Sequence, residues 1–310
     1  MINRHLVESR TPPSAFTGDP SRPRLHRFGN YLKTAILLAG MTALALVIGE
    51  RLGGPQGLVY AGLFVAIMNF VTWWFSDRIA LAMHGARELD VSQAPWLYEM
   101  VQRLTARAGL PMPKLYVIDI PTPNAFATGR SPAKSAVAVT TGLLQLMDRR
   151  ELEGVLAHEL SHVHNRDTLI STIAATMAGV ITWAVQSLFW FGGAALGRGE
   201  DDRDEGGGAL ASLGLLLVAP IAATLLQLAI SRSREYGADA SGAALTGEPD
   251  ALADALLKLQ RGAEHLPYDR APATAHMFIV KPFSAQGILG LFSTHPPTED
   301  RIHALLQLGR

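Results

Sequence analysis

"GVLAHELSHVHNRD", residues 154 to 167, is the stretch on which the reading of this chain turns. His158 and His162 stand four apart within "RRELEGVLAHELSHVHN", a run with helical periodicity, so their imidazoles share one helical face and converge on a single point in front of it. Asp148, with Glu151 three residues on, predicts a capping box that starts this helix. Glu159 is rotated by about 100 degrees from His158, which takes it out of the ligand geometry and lets it reach a water on the same metal. The chemistry that suits such a trio is hydrolysis. The metal brings its water toward a pKa of ~7, the carboxylate takes the proton, and a polarised peptide carbonyl is attacked. His-Glu-x-x-His is also short enough to arise by accident, as a charged amphipathic helix with two solvated histidines, so its surroundings decide.

A third ligand has to come from elsewhere. Cysteine is absent, which excludes disulfides and thiolate ligands and leaves His, Asp and Glu. Asn165 and Thr168 occupy the positions where metzincins carry a glycine and a third histidine. "SRSREYGADASGA", residues 231 to 243, offers Glu235 and Asp239 four apart on a helical segment, one carboxylate to bind the metal and one to orient a ligand histidine. A His2Glu set with water in the fourth position is a known catalytic zinc arrangement. The competing reading is a solvated helical face on which Arg232 and Arg234 pair with the two carboxylates.

Composition places the chain at a membrane. Apolar residues make up 48% and charged residues 17%, and the apolar ones are bunched in uncharged runs at 34–49, 52–76, 168–197 and 206–231. Three of these reach the roughly 20 residues needed to cross a ~30 Å hydrocarbon core, and the first falls short unless Lys33 and Arg51 snorkel. Four membrane-spanning helices are therefore predicted, the last kinked at Pro220. The polar leader is too long for a secretory signal, so the first span is expected to be retained. "TPPSAF" and "GDPSRPR" make residues 1–33 read as a flexible arm. Arg4, Arg10, Arg22, Arg24, Arg27 and Lys33 precede the first span, Arg232 and Arg234 follow the fourth, and the intervening "GRGEDDRDEGGG" is mostly acidic. These flanks put both termini in the cytoplasm and the acidic loop outside. The net charge of zero is silent on partners.

After the second run the pattern changes to α+β. "APWLYEMVQRLTARAGL" reads as a helix that ends at Gly109, and "KLYVIDI", "NAFATG" and "SAVAVTTG" read as strands, with Val137 and Val139 on one face. The expected organisation is an arm over 1–33, two spans within 34–76, a first half-domain over 77–167, a membrane hairpin over 168–231 and a second half-domain over 232–310.

"HELSHVHNRD", "PNAFATG", "SAVAVTTGLL", "SRSREYGADA" and "LFSTHPPTEDRI", in this order, resemble the HtpX-type heat-shock membrane proteases, in the zinc metallopeptidase family that also contains the CAAX prenyl proteases. The resemblance runs from about Trp96 to Arg301. It implies an α+β membrane protein with four transmembrane helices and a cytoplasmic, zincin-like metallopeptidase domain interrupted by a transmembrane hairpin. Carried over position by position, it makes His158, His162 and Glu235 the ligands of one Zn2+, Glu159 the general base and Asp239 the partner that orients a ligand. The implied activity is endoproteolysis of membrane or misfolded proteins on the cytoplasmic side, in the inner membrane of a bacterium. The expected partners are protein or peptide substrates and the lipid bilayer, with no nucleic acid.

Two more motifs have mechanical readings. "NAFATG" is expected to be an edge strand beside the cleft, able to hold an extended substrate by backbone hydrogen bonds, with Asn124 and Ala125 as contact positions; an ordinary core strand is the alternative. In "STHPPTEDRI", Pro296 and Pro297 fix a loop before a helix, which aims His295 at the oxyanion formed on attack. Arg301 is open to two readings, a substrate contact or a structural salt bridge. His164, His276 and His303 read as surface or packing residues, Trp73 and Trp74 as aromatic anchors at the membrane interface, and glycines 206–208 as a flexible turn. Two rivals to a membrane-surface protease remain. An intramembrane protease is disfavoured by the charges on either side of His158, and a silent zinc-binding scaffold or chaperone by Glu159, which a closed structural site does not need.

Overall fold

A glycine pair divides the first long helix. In the computed structural model, which describes residues 22–173, 232–265, 279 and 296–309, α1 (Arg22–Met83) breaks at Gly53 and Gly54. Gly54 has φ 58 and ψ −145, a region open in practice only to glycine. The two halves fold back on each other. Asn69 Nδ2 donates to Thr42 Oγ1 at 2.9 Å between the apolar runs, and Gly49 and Gly57 approach so closely that a methyl on either would collide with the other's carbonyl. Among the described residues one helix, Gly53–Met83, is long and apolar enough to cross a membrane, with a mean hydropathy of 1.7 over its best window and 11% of that window buried. The first predicted span is helical as well, and its helix starts at Arg22, inside the stretch read as a flexible arm. Residues 1–21 and the third and fourth runs beyond residue 173, with Pro220, the acidic loop and the glycine triplet, lie outside the described residues.

The domain is built on a four-stranded sheet. Its strands β1 (Arg87–Glu88), β2 (Lys114–Ile118), β3 (Ala125–Gly129) and β4 (Ser135–Thr140) are arranged in the order β1-β2-β4-β3, with β2 and β4 parallel and the two edge strands antiparallel to their neighbours. Both faces are covered. Ala125, Ala127, Val137 and Val139 face the main core, while Phe126, Ala136 and Ala138 pack with Ile118 and Ile120 against Ala80 and Leu81 at the end of α1. Double coverage explains why every residue of β3 and β4 is buried, so these strands carry small apolar residues rather than an alternating pattern.

The helices are α2 (Pro95–Ala108), α3 (Thr141–Leu146), α4 (Arg149–Asn165), α5 (Arg232–Thr246), α6 (Pro249–His265) and α7 (Thr298–Leu308). Gly109, with φ 63, ends α2 as its sequence predicts. α4 is the axis of the core and packs on β3, α2, α5 and α6. Glycine sets two of those distances: a Cβ at Gly154 would meet Leu252 N at 3.1 Å, and one at Gly242 would meet His158 N at 2.9 Å. The close approach of α5 to α4 is what brings residues from the far side of the second apolar pair beside the histidines.

Candidate active site

α4 begins where its capping box says it should. Glu151 N–H donates to Asp148 Oδ1 and Asp148 N–H to Glu151 Oε2, both at 2.9 Å, and Lys258 from α6 adds an ion pair to Glu151 at 2.7 Å. Two turns later the face that carries His158 and His162 looks toward α5. The two Nε2 atoms lie 3.2 Å apart, and Glu235 from the first turn of α5 brings its carboxylate to 3.9 Å from His158 Nε2 and 3.8 Å from His162 Nε2. One ligand atom from each of the three residues falls within 4.8 Å of the others.

The far side of each ring is held by a carboxylate. His158 Nδ1 is 2.9 Å from Asp239 Oδ1, and His162 Nδ1 is 3.1 Å from Asp167 Oδ2. With each Nδ1 turned toward a carboxylate, the two Nε2 atoms face each other across 3.2 Å, an approach that needs either a shared proton or a cation between the rings. Such a pair is stable around a cation. Two Zn–N bonds of the usual length at a tetrahedral angle put the nitrogens ~3.3 Å apart.

Charge balance points the same way. Glu159, Asp167, Glu235 and Asp239 are all buried in this cluster, and the buried cations Arg234 and Arg301 neutralise two of the four negative charges. A divalent ion completes the balance with both histidines neutral. Without one, the surplus shows in the proton affinities. Burial alone lowers the His162 pKa, but the hydrogen bond to Asp167 and the charges of Glu235, Asp167 and Glu159 outweigh it and push it up to about 9. His158 is shifted down, because desolvation wins over the attraction of Asp239. Asp239 resists its own burial because the Arg301 guanidinium holds its carboxyl below the usual range.

Glu159 lies on the β3 side of α4. The Ala127 N–H donates to its Oε2 at 2.8 Å, and burial raises its pKa to about 7 against the opposing pull of His162 and of that hydrogen bond. Its donor lies on the side of β3 that no other described strand pairs with. The register pairs Asn124 with Thr140, whose N–H reaches the Asn124 carbonyl at 2.9 Å, so the backbone groups of Asn124, Phe126 and Thr128 face β4 while those of Ala125, Ala127 and Gly129 face outward. Of the two contact positions expected from the sequence, Ala125 has its backbone groups on the side of β3 away from β4, where the residue is fully buried. Asn124 does not: its N–H goes to Thr140 Oγ1 at 2.9 Å and its Oδ1 accepts from Ile279 N–H at 3.4 Å.

Arg301, on the first turn of α7, lies inside the domain and is 1% exposed, so its environment is that of an ion pair and not of an open cleft. It grips Asp239 with two hydrogen bonds and donates to the Ile279 carbonyl at 2.9 Å. His295 and His276 fall outside the described residues, while His303 is exposed. His164 lines a groove with Ser161, Ser241 and Leu245 on the side of α4 away from Glu159. Trp73 and Trp74 are 40% and 43% exposed, and the Arg130 guanidinium, from the turn after β3, lies 3.9 Å over the Trp74 ring.

Two features were not visible in the sequence. α4 does not run unbroken into the third apolar run: Arg166 adopts φ 61, a left-handed conformation, and a helix resumes at Asp167. The break turns Asp167 back toward His162. Thr168 and Thr172 then bind β3, through the Gly129 carbonyl at 3.0 Å and Thr128 Oγ1 at 2.9 Å.

The profile of peptidase family M48 matches residues 91–308. Proteins named "Protease HtpX homolog" are similar to this chain over most of its length. That of Desulforapulum autotrophicum is 52% identical over 89% of this chain and 89% of its own, and that of Methylibium petroleiphilum 50% identical over 90% and 98%. A crystal structure of S. mikatae Ste24p aligns at 19% identity with a TM-score of 0.48, covering 92% of this chain and 66% of that one. The helix that carries two histidines and a buried carboxylate, set against a third acidic donor, thus lies within a match to a single peptidase family, and the chain belongs to peptidase family M48 as a metallopeptidase.

Proposed function

We propose that the chain is a membrane-bound zinc endopeptidase that hydrolyses membrane or misfolded proteins at the cytoplasmic face of a bacterial inner membrane, with one zinc ion held by His158, His162 and Glu235. The observation that carries this reading is the 3.2 Å approach of two Nε2 atoms whose rings are each oriented by a carboxylate behind them. When bound, zinc supplies a Lewis acid that polarises a carbonyl and acidifies a water. The rest is done by the chain. Glu159, buried beside the histidines and anchored through Oε2 to the Ala127 N–H, is the group we assign to take a proton from the attacking water and to return it to the leaving amine. The N–H and C=O groups of Ala125 and the C=O of Ala127 point away from β4, and although both residues are buried in this structure they are the groups we assign to pairing with an extended substrate, which reads a backbone without reading a sequence. That suits a protease of varied, partly unfolded clients.

The membrane assignment draws on the folded-back pair of helices in α1 and on the apolar runs that follow α4. The site lies at the end of one of those runs, among charged residues, which favours cleavage at the bilayer surface over cleavage within it.

The reading is tested with full-length protein purified in detergent, by metal analysis alongside cleavage of casein. Wild-type protein is expected to carry one zinc and to cleave, and Glu159→Gln to keep the zinc and lose turnover. Loss of metal in that variant would show that Glu159 is a ligand or a structural prop instead. Full cleavage by Glu159→Gln would assign the base elsewhere.

A further inference from the structure

The break at Arg166 raises the question of what it accomplishes. A non-glycine residue in the left-handed region is held there by its surroundings, and here it both ends α4 and starts the next helix. The consequence is geometric. On a continuous helix Asp167 would sit five positions, about 500 degrees, after His162 and would point away from its ring. With Arg166 left-handed, Asp167 Oδ2 comes to 3.1 Å from His162 Nδ1, and the carboxylate is only 5% exposed.

We propose that Asp167 is a positioning residue for His162, and that the left-handed break at Arg166 is the device that brings it there. The proposal rests on the zinc reading above, and on three observations independent of it. First, each histidine has a carboxylate near its Nδ1, from unrelated places: Asp239 lies 2.9 Å from His158 Nδ1 and arrives from α5, across the domain, whereas Asp167, which makes a hydrogen bond with His162 Nδ1, is reached through the break that follows the same helix. Second, the buried charge of Asp167 has a counter-charge at hand, since both Asp167 and Glu235 act on the buried Arg234 guanidinium at the start of α5. Third, the segment that carries Asp167 is anchored on its other side to β3, through Thr168 Oγ1 to the Gly129 carbonyl and Thr172 Oγ1 to Thr128 Oγ1. One short stretch at the root of the third apolar run thus holds a metal ligand on one side and the strand next to Glu159 on the other. By donating Nδ1–H to Asp167, His162 is fixed in the tautomer that leaves Nε2 open, and its ring plane is fixed with it.

The test uses full-length protein in detergent and compares wild type, Asp167→Ala, Asp167→Asn, Arg166→Val, Arg166→Gly and His162→Ala. Zinc affinity is read by competition with a chromophoric chelator, and ligand geometry by the visible absorption of the Co2+-substituted protein. Asp167→Ala is expected to weaken zinc binding by about 10–100-fold and to shift the Co2+ spectrum. Asp167→Asn, which keeps an acceptor for Nδ1–H, is expected to recover most of both. Arg166→Val, strained at φ 61, is expected to weaken zinc by about 10-fold, while Arg166→Gly holds it, although neither changes a group that touches the metal. If Asp167→Ala does not fold, the Val and Gly pair at 166 decides the matter alone. Wild-type affinity with an unchanged spectrum in Asp167→Ala, or equal affinities for the two Arg166 variants, overturns the proposal. If instead wild type binds no zinc, or His162→Ala binds it as tightly, the zinc reading itself fails, and Asp167 loses its role with it.

Discussion

Arg301 and Asp239 form a fully buried, two-pronged ion pair, with Nε to Oδ2 and Nη2 to Oδ1 both at 2.7 Å. Asp239 passes this rigidity on to His158, and the same guanidinium lies 3.5 Å from Glu235. A residue near the C-terminal end of the described chain thus steadies two of the three proposed ligands without reaching the cleft. Arg301→Lys keeps the charge but cannot make the parallel pair of bonds. We expect it to lower zinc affinity by about 10–100-fold. Arg301→Ala leaves a buried carboxylate unpaired and is expected to cost about 3–5 kcal/mol of stability. Chelator competition and thermal melting measure the two effects separately; wild-type affinity in the lysine variant would show that one point charge suffices.

Glu159 makes metal-free stability depend on pH. Its folded pKa of about 7 lies above the ordinary 4.5, so its burial costs nothing when it is protonated in both states, below about pH 4.5. The cost grows as pH rises and is complete above about 7, where a shift of this size amounts to about 3 kcal/mol. Glu159→Gln removes it. In chelator-stripped protein the variant is expected to melt near the wild type at pH 4 and several degrees above it at pH 8. A gap that does not change with pH contradicts the assignment.

Gly242 is the point where α5 touches the backbone of α4, against His158 N. Gly242→Val is expected to push the helices apart, destabilise the fold by about 1–3 kcal/mol and draw Glu235 away from the histidines. Zinc affinity and melting temperature should fall together. An unchanged affinity would mean that Glu235 reaches the site by some other constraint.

The basic flanks of the apolar runs predict an orientation that can be tested with fusions. A reporter inserted within residues 199–205 is expected outside the cytoplasm, and one placed after residue 310 inside it. The opposite labelling would put the active site on the outer face and remove the cytoplasmic clients from consideration.

The helix and its histidine pair were legible because their signals are local: the capping box at Asp148 and Glu151, and a spacing of four between His158 and His162. Gly109 marked the end of α2 for the same reason. Glu235 and Asp239 could be picked out by their own spacing, but not their division of labour, which depends on how closely Gly242 lets α5 approach. The role of Asp167 was hidden because no residue type signals a left-handed arginine; five residues after His162, it sits at the wrong angle for any regular helix. Arg301 was ambiguous because its partner lies 62 positions away. The strands were readable as strands, yet with both faces of β3 and β4 buried they lack the alternation that would have told core from cleft.

Two hydrogen bonds between Asn124 and Thr140, from Asn124 N–H to Thr140 Oγ1 and from Thr140 N–H to the Asn124 carbonyl, fix β3 against β4 three residues before Ala127 gives its N–H to Glu159. Backbone groups alternate in direction along a strand, so a single residue added between these points would turn the donor toward β4 and swing the Phe126 ring into the core in front of α4. Substitutions of similar size at Ala125 or Ala127 leave that spacing alone. The approach to Glu159, the proposed base, is therefore tolerant of chemistry and intolerant of length, and insertion scanning across residues 124–129 should leave a sharply bounded silent gap where substitution scanning finds only a shallow one.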